Sequence, residues 1–172
     1  MTKLIQKEIA DDAKQYGDPR RTLLEAVAYT APAEVAVPDE PVTVILSKNG
    51  WVRTRQGHGI APDSIGYKAG DFPFLVAESR TIWPLLLIDS KGRAYSVKVS
   101  DLPGGRGDGV PIGTLIELQD GGKVAQAVSA DPEAKYLFAG SGGYGFVAQL
   151  ADLVGRNKAG KAFLTLDDGE KP

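Results

Sequence analysis

The sequence predicts an all-β fold, a partial array of propeller-like blades of antiparallel strands, preceded by one short N-terminal helix. Three observations carry that expectation. Strand-turn-strand signatures recur three times, their turn glycines Gly50, Gly92 and Gly143 lying 42 and 51 residues apart. A glycine-bearing landmark follows each at a similar offset: Lys68-Ala69-Gly70 after 20 residues, Gly107-Asp108-Gly109 after 17 and Lys158-Ala159-Gly160 after 17. Glycine (21) and proline (11) are abundant, which favours turns and strands over a helical bundle.

Composition narrows the function classes. The 172 residues suit one domain with a short appendage, and 42% apolar residues suffice for a core. With no cysteine and a single His58, a disulfide scaffold, a thiol enzyme and a multi-histidine metal site are excluded. No apolar run approaches the ~20 residues of a membrane helix, and the start lacks the apolar stretch of a secretory signal, so a cytoplasmic location is expected. The net charge of −2 conceals a pattern: residues 1–41 carry −3, residues 42–166 carry +3 and residues 167–172 carry −2. The middle is mildly basic, and charge distribution matters more than net charge for a nucleic-acid partner.

In chain order, Ile5, Ile9, Ala13 and Tyr16 recur at helical spacing among charged residues and predict an amphipathic helix over 2–16, closed by Gly17 with Asp18-Pro19 behind it. Residues 31–41 hold three prolines and three acids and read as a linker. Val42–Leu46 and Trp51–Arg55 flank Asn49-Gly50, the strongest short hairpin signal. Leu85–Ile88 and Arg93–Val99 flank Lys91-Gly92, and Tyr136–Ala139 and Tyr144–Gln149 flank Gly142-Gly143. Further strands are expected in the apolar runs Phe72–Val76, Pro111–Leu118, Val124–Ser129 and Ala162–Leu166. Three hairpins fall short of the roughly four to eight blades of a closed propeller, so an open array or a fragment is expected.

Two stretches carry a family resemblance. Tyr16-Gly17-Asp18-Pro19-Arg20-Arg21-Thr22 resembles the signature that closes the breakage-reunion domain of bacterial type IIA topoisomerase A subunits. Val42–Arg53 resembles the first blade of the β-pinwheel, the hairpin-invaded propeller that binds and bends DNA in that family. The glutamine-and-arginine box of gyrase is absent from residues 57–71. Gly57-His58, Tyr67–Asp71, Asp89–Ser96, Leu102-Pro103, Gly143–Val147 and Arg156–Lys161 instead resemble the topoisomerase IV branch.

The resemblance implies the end of the breakage-reunion domain over 1–30, a linker over 31–41 and the first blades of a DNA-binding β-pinwheel over 42–172. It implies non-sequence-specific binding and bending of duplex DNA, in support of decatenation and relaxation during chromosome segregation, without gyrase-like wrapping. It further implies that the catalytic tyrosine, Mg²⁺ and ATP belong to other domains or subunits, and that this piece has no catalytic residue, metal or cofactor site of its own. A second A subunit, like the B subunit, is expected to dock on other regions of the parent protein.

The candidate DNA-binding residues are Arg53, Arg55, Lys68, Arg93, Lys98, Arg106, Arg156, Lys158 and Lys161, at strand ends or in glycine-flanked loops where phosphate can meet a cation and peptide N–H groups together. On strand 51–55, Trp51, Arg53 and Arg55 are expected on one face and Val52 and Thr54 on the other. Two other readings of the chain are a nucleotide-binding enzyme and a propeller-type protein-interaction module. The first uses Gly140-Ser141-Gly142-Gly143-Tyr144-Gly145, a literal G-x-G-x-x-G that requires a helix over Phe146–Val154 and a ribose-binding Asp167 or Asp168. The adjacent acids Asp11-Asp12 and Asp167-Asp168 read as solvated, and His58 as structural or exposed.

Overall fold

A computed structural model describes residues 2–18, 36–105, 107–167 and 169–172. The chain divides into two units, residues 1–35 and 36–172. In the first, helix α1 spans Thr2–Tyr16 and buries none of its residues. Gly17 ends it by donating its N–H to the Ala13 carbonyl at 3.1 Å, against which a side chain at that position would collide. The Arg20-Arg21-Thr22 motif and residues 31–35 of the expected linker lie outside the described residues.

The described residues of the second unit form ten strands: β1 (Pro41–Ser47), β2 (Trp51–Gln56), β3 (Pro73–Arg80), β4 (Pro84–Asp89), β5 (Arg93–Lys98), β6 (Val110–Pro111), β7 (Val124–Ser129), β8 (Lys135–Ala139), β9 (Gly145–Gln149) and β10 (Lys161–Ala162). The three expected hairpins are present as β1–β2, β4–β5 and β8–β9, all antiparallel. Buried carboxylates reinforce two of the turns. Asp71 accepts the N–H groups of Asn49 (3.0 Å) and Phe72 (2.8 Å). Asp89 accepts those of Lys91 (2.8 Å) and Arg93 (2.9 Å), together with the Tyr95 hydroxyl (2.8 Å).

The first two hairpins each gain one strand from their own repeat and another from the repeat that follows. The first blade has the order β3-β1-β2-β6 and the second β10-β5-β4-β7, whereas β8 and β9 form a two-stranded sheet. β6 follows the second hairpin in sequence yet pairs with β2, Val110 opposite Val52 and Pro111 opposite Trp51. β10 repeats this on β5, with Lys161 opposite Ala94 and Ala162 opposite Arg93. The glycines before the two invading strands have positive φ, +90° at Gly109 and +64° at Gly160, and lie so close to the Val52 and Ala94 carbonyls that a Cβ would not fit.

The remaining landmark glycine, Gly70, is not their counterpart. It turns three residues before β3 as Gly121 does before β7, with Asp71 N–H bonded to Lys68 O (2.9 Å) and Gly122 N–H to Gln119 O (2.7 Å). Two expected strands are also shorter than the sequence suggests. Pro111–Leu118 yields only the end of β6 and a 3₁₀ turn over Ile112–Thr114, and Ala162–Leu166 yields only the end of β10. Both runs are apolar because they fill the gaps between blades: Ile112, Ile116 and Leu164 are buried.

The cores lie between blades. One joins Val44, Leu46 and Val52 of the first to Leu85, Leu87 and Tyr95 of the second, and the next joins Leu86, Ile88 and Ala94 to Phe138, Leu150 and Leu153. β4 is therefore apolar on both faces, and all six of its residues are buried. Burying each leucine contributes roughly 1.5–3 kcal/mol, so the blades stabilise one another rather than standing alone.

Candidate nucleic-acid interface

The candidate cations among the described residues lie along the two invaded edges and do two different jobs. At the first edge, Arg53 is 7% exposed, although Trp51 and Arg55 on either side of it along the same face are half-buried. Its guanidinium donates to the carbonyls of Gly66 and Gly107, which come from loops on either side of β2. The alternation of β2 was right for Val52 and Thr54, which are buried, but the loops bury Arg53 as well. Arg55 is half-buried and reaches Ser64, 3.3 Å to its carbonyl and 3.4 Å to its hydroxyl, beside a polar notch lined by Arg53, Arg55, Ser64 and Gly66. Lys68 places its Nζ over the Trp51 ring, 3.1 Å from the centroid, and lies 3.9 Å from an Asp108 oxygen. That is a cation–π contact on a half-buried tryptophan.

At the second edge, Arg93 donates to the carbonyls of Ala159 and Gly160, both at 2.9 Å, and so holds the start of β10. Lys161 donates to the carbonyls of Asp152 and, at 3.4 Å, Val154. Ser96 of β5 accepts the Gly155 N–H at 2.9 Å and donates to the Gly155 carbonyl at 2.7 Å, fixing the start of the loop that carries Arg156 and Lys158. Lys98 lies two residues further along the same strand. Lys98, Arg156 and Lys158 are exposed, and their side chains make no hydrogen bond or ion pair among the described residues. Arg106 lies outside the described residues.

The sequence reading passed over Lys91 and Lys123, which the fold brings together: Ser90 N–H bonds the Lys123 carbonyl at 2.8 Å, while the Lys91 Nζ reaches the Asp120 carbonyl at 2.6 Å. The position of Lys91 within a hairpin turn was the available signal, whereas Lys123 is 32 residues away in sequence.

The groups that brace the first two hairpin turns have shifted acid–base behaviour. Burial works against ionisation of Asp71, but hydrogen bonds from Ser47, Asn49 and Phe72, with Lys68 nearby, outweigh it and hold the carboxyl below its ordinary value. Burial, followed by the bond to Asp89, raises the Tyr95 hydroxyl above its ordinary value.

The nucleotide-loop alternative loses its geometry. Gly143 is the turn of β8–β9 with φ +89°, and the residues after it form β9 and a 3₁₀ turn over Leu150–Leu153 rather than a helix whose N-terminus could hold a pyrophosphate. His58 is exposed, its Nε2 2.8 Å from the Ser79 carbonyl. Among the described residues no group of three or more His, Asp or Glu side chains is gathered to hold a metal ion, and no helix is long and apolar enough to cross a membrane.

Blades that lend a strand backwards to the preceding blade define a β-pinwheel, the class seen in the C-terminal domains of type IIA topoisomerase A subunits. Solved structures agree. The E. coli ParC C-terminal domain matches 77% of this chain and 54% of its own with a TM-score of 0.73 at 39% identity. The DNA gyrase A C-terminal domain shares the fold at a TM-score of 0.54 and 21% identity, covering 76% of this chain and 45% of its own. Within that class the chain is a relative of the topoisomerase IV A subunits. It is 45% identical over 172 residues to the DNA topoisomerase 4 A subunit of Neisseria gonorrhoeae and 39% identical over 170 to that of Escherichia coli, each match covering 98% of this chain. The chain spans only 22% and 23% of those relatives. No family model matches it.

Proposed function

We propose that the blades bind and bend duplex DNA through its phosphates, without reading bases, as part of a topoisomerase IV A subunit that supports decatenation and relaxation in the cytoplasm. The observation that carries this reading is the exposed cations Lys98 on β5 and Arg156 and Lys158 on the loop that Ser96 of β5 anchors at Gly155, unpaired among the described residues. The topoisomerase 4 relatives supply the context. Mg²⁺-dependent cleavage would belong to regions of the whole protein beyond these residues and ATP hydrolysis to the partner subunit, and the docking surfaces for the B subunit and for a second A subunit would likewise lie outside these residues. In this reading residues 1–30 end the cleavage domain and 31–41 link it to the blades.

A phosphate-directed surface neutralises charge and releases counterions, so log K against log salt should fall by about 0.9 per phosphate engaged. Fluorescence anisotropy with several unrelated duplexes across a salt series tests this. Equal affinities on one common negative slope are expected; a salt-independent affinity, or a marked preference for one duplex, would overturn it. With no gyrase-type box at residues 57–71, plasmid relaxed in the presence of the chain should show little change in linking number.

A further inference from the structure

A buried positive charge without a counterion sits where the first blade receives β6. The Arg53 guanidinium donates to the Gly66 carbonyl of its own repeat and to the Gly107 carbonyl of the loop that leads into β6. Those carbonyls satisfy N–H groups but carry no net charge, and Arg53 Nε has no hydrogen-bond partner. Among the described residues no carboxylate lies within ion-pair distance of Arg53 or Arg55; Asp108, next to Gly107, lies 3.9 Å from Lys68 instead. Taking a guanidinium out of water with no counter-charge is strongly unfavourable.

The fold does not demand that charge. Tyr95 is two residues beyond Arg93 on β5 as Arg53 is two beyond Trp51 on β2, and there a neutral hydroxyl donates to the buried Asp89 at 2.8 Å. Val97 stands in the position of Arg55. The first blade therefore carries two cations where the second carries none. Both of them open onto one notch: Arg53, Arg55, Ser64 and Gly66 line a cavity of about 350 Å³, room for roughly ten waters at ~30 Å³ each and ample for a phosphate group. Arg55 spends only one terminal nitrogen on Ser64, in bonds of 3.3 and 3.4 Å, so its other N–H groups are free among the described residues.

We propose that this notch binds a phosphate group, held by Arg55 and Ser64 in the field of Arg53, and that the bound anion fastens β6 to the first blade. The anion supplies the counter-charge that Arg53 lacks, so the clasp between the Gly66 and Gly107 loops tightens when the notch is filled. The site is separate from Lys98, Arg156 and Lys158. Phosphate of a DNA backbone would extend the reading above to this edge, whereas free phosphate would hold without it.

Thermal midpoints of the unsubstituted chain and of Arg55→Gln/Ser64→Ala, matched by circular dichroism, are compared in sodium phosphate and in sodium chloride of equal ionic strength. Phosphate strengthens apolar burial in any protein, so the readout is the difference between the two chains. Phosphate should raise the unsubstituted midpoint by several degrees more than the variant's. Amide exchange locates the effect. The Thr54 and Gly105 N–H groups bond the Pro103 carbonyl at 2.8 Å and the Thr54 carbonyl at 3.1 Å across the junction, and in the unsubstituted chain both should exchange several-fold more slowly in phosphate than in chloride. A short duplex at equal phosphate content separates the sources: duplex protection that the variant lacks assigns the notch to backbone phosphate, and a difference confined to inorganic phosphate assigns it to the free anion. Equal shifts of both chains in phosphate and with duplex alike, or unaltered exchange at Thr54 and Gly105, would overturn the proposal.

Discussion

Arg53 and Arg55 are two residues apart on one strand and differ in what crosses them. The loops at Gly66 and Gly107 close over Arg53 and supply carbonyls to its guanidinium, while Arg55 keeps one weak pair with Ser64. Hydrogen bonds from a charged donor contribute ~1.5–3 kcal/mol, so Arg53→Ala should destabilise by about 2–4 kcal/mol and Arg55→Ala by under ~1 kcal/mol. Urea midpoints at constant m measure both. If Arg53→Ala proved neutral, the residue would return to the set of surface cations. Asp71 gives a pH-dependent counterpart. Its folded pKa lies below the ordinary 3.8, so its contribution is complete above that value and is lost as pH falls through the folded one. Urea stability from pH 5 to pH 2 should therefore fall less steeply in Asp71→Asn than in the unsubstituted chain; parallel slopes would remove Asp71 from the acid limb.

At the scale of elements, what could be read in the sequence is what is local. Asn49-Gly50, Lys91-Gly92 and Gly142-Gly143 specify hairpins from a few residues each, and all three formed. β6 and β10 have two residues apiece and are defined by the strand they reach, 58 residues back for Val110 on Val52, which no local pattern encodes. The landmark count also failed for a physical reason: the counterpart of Gly109 in the first repeat is Gly59, which shares its positive φ and a 3₁₀ turn starting three residues on but lies only 9 residues after its turn glycine rather than 17, so equal spacing singled out Gly70 in error. The candidate site was legible as a set of cations but not as two groups, because peptide carbonyls that engage Arg53, Arg93 and Lys161 leave no trace in side-chain sequence. A consequence follows for the invading strands. Gly109→Ala and Gly160→Ala combine a left-handed backbone with collision against a host carbonyl and should each cost more than ~2 kcal/mol, whereas Gly59→Ala, in open space, should cost only the ~1–2 kcal/mol of the backbone term. Thermal denaturation of the three variants checks the order, and a Gly109→Ala no worse than Gly59→Ala would contradict the close approach.

For the whole molecule, the division of cations between holding loops and facing solvent leads to opposite outcomes within a single loop. Arg156 and Lys158 are exposed, whereas Lys161, three positions beyond Lys158, is tied to the carbonyls of Asp152 and Val154. If DNA is held through its phosphates, Arg156→Ala/Lys158→Ala should weaken binding to all duplexes alike and flatten the salt slope by up to about 1.8, two phosphates at 0.9 each. Stability should change little, since exposed charges away from partners are usually within ~0.5 kcal/mol of neutral. Lys161→Ala should do the reverse, lowering the urea midpoint while leaving the slope unchanged. Measuring slope and midpoint on both variants separates a surface that binds from one that is merely solvated. A flattened slope with Lys161→Ala and none with the double variant would shift the DNA path to β10, and an unchanged slope in both would leave the first edge, with Arg55 and Lys68, as the remaining described site.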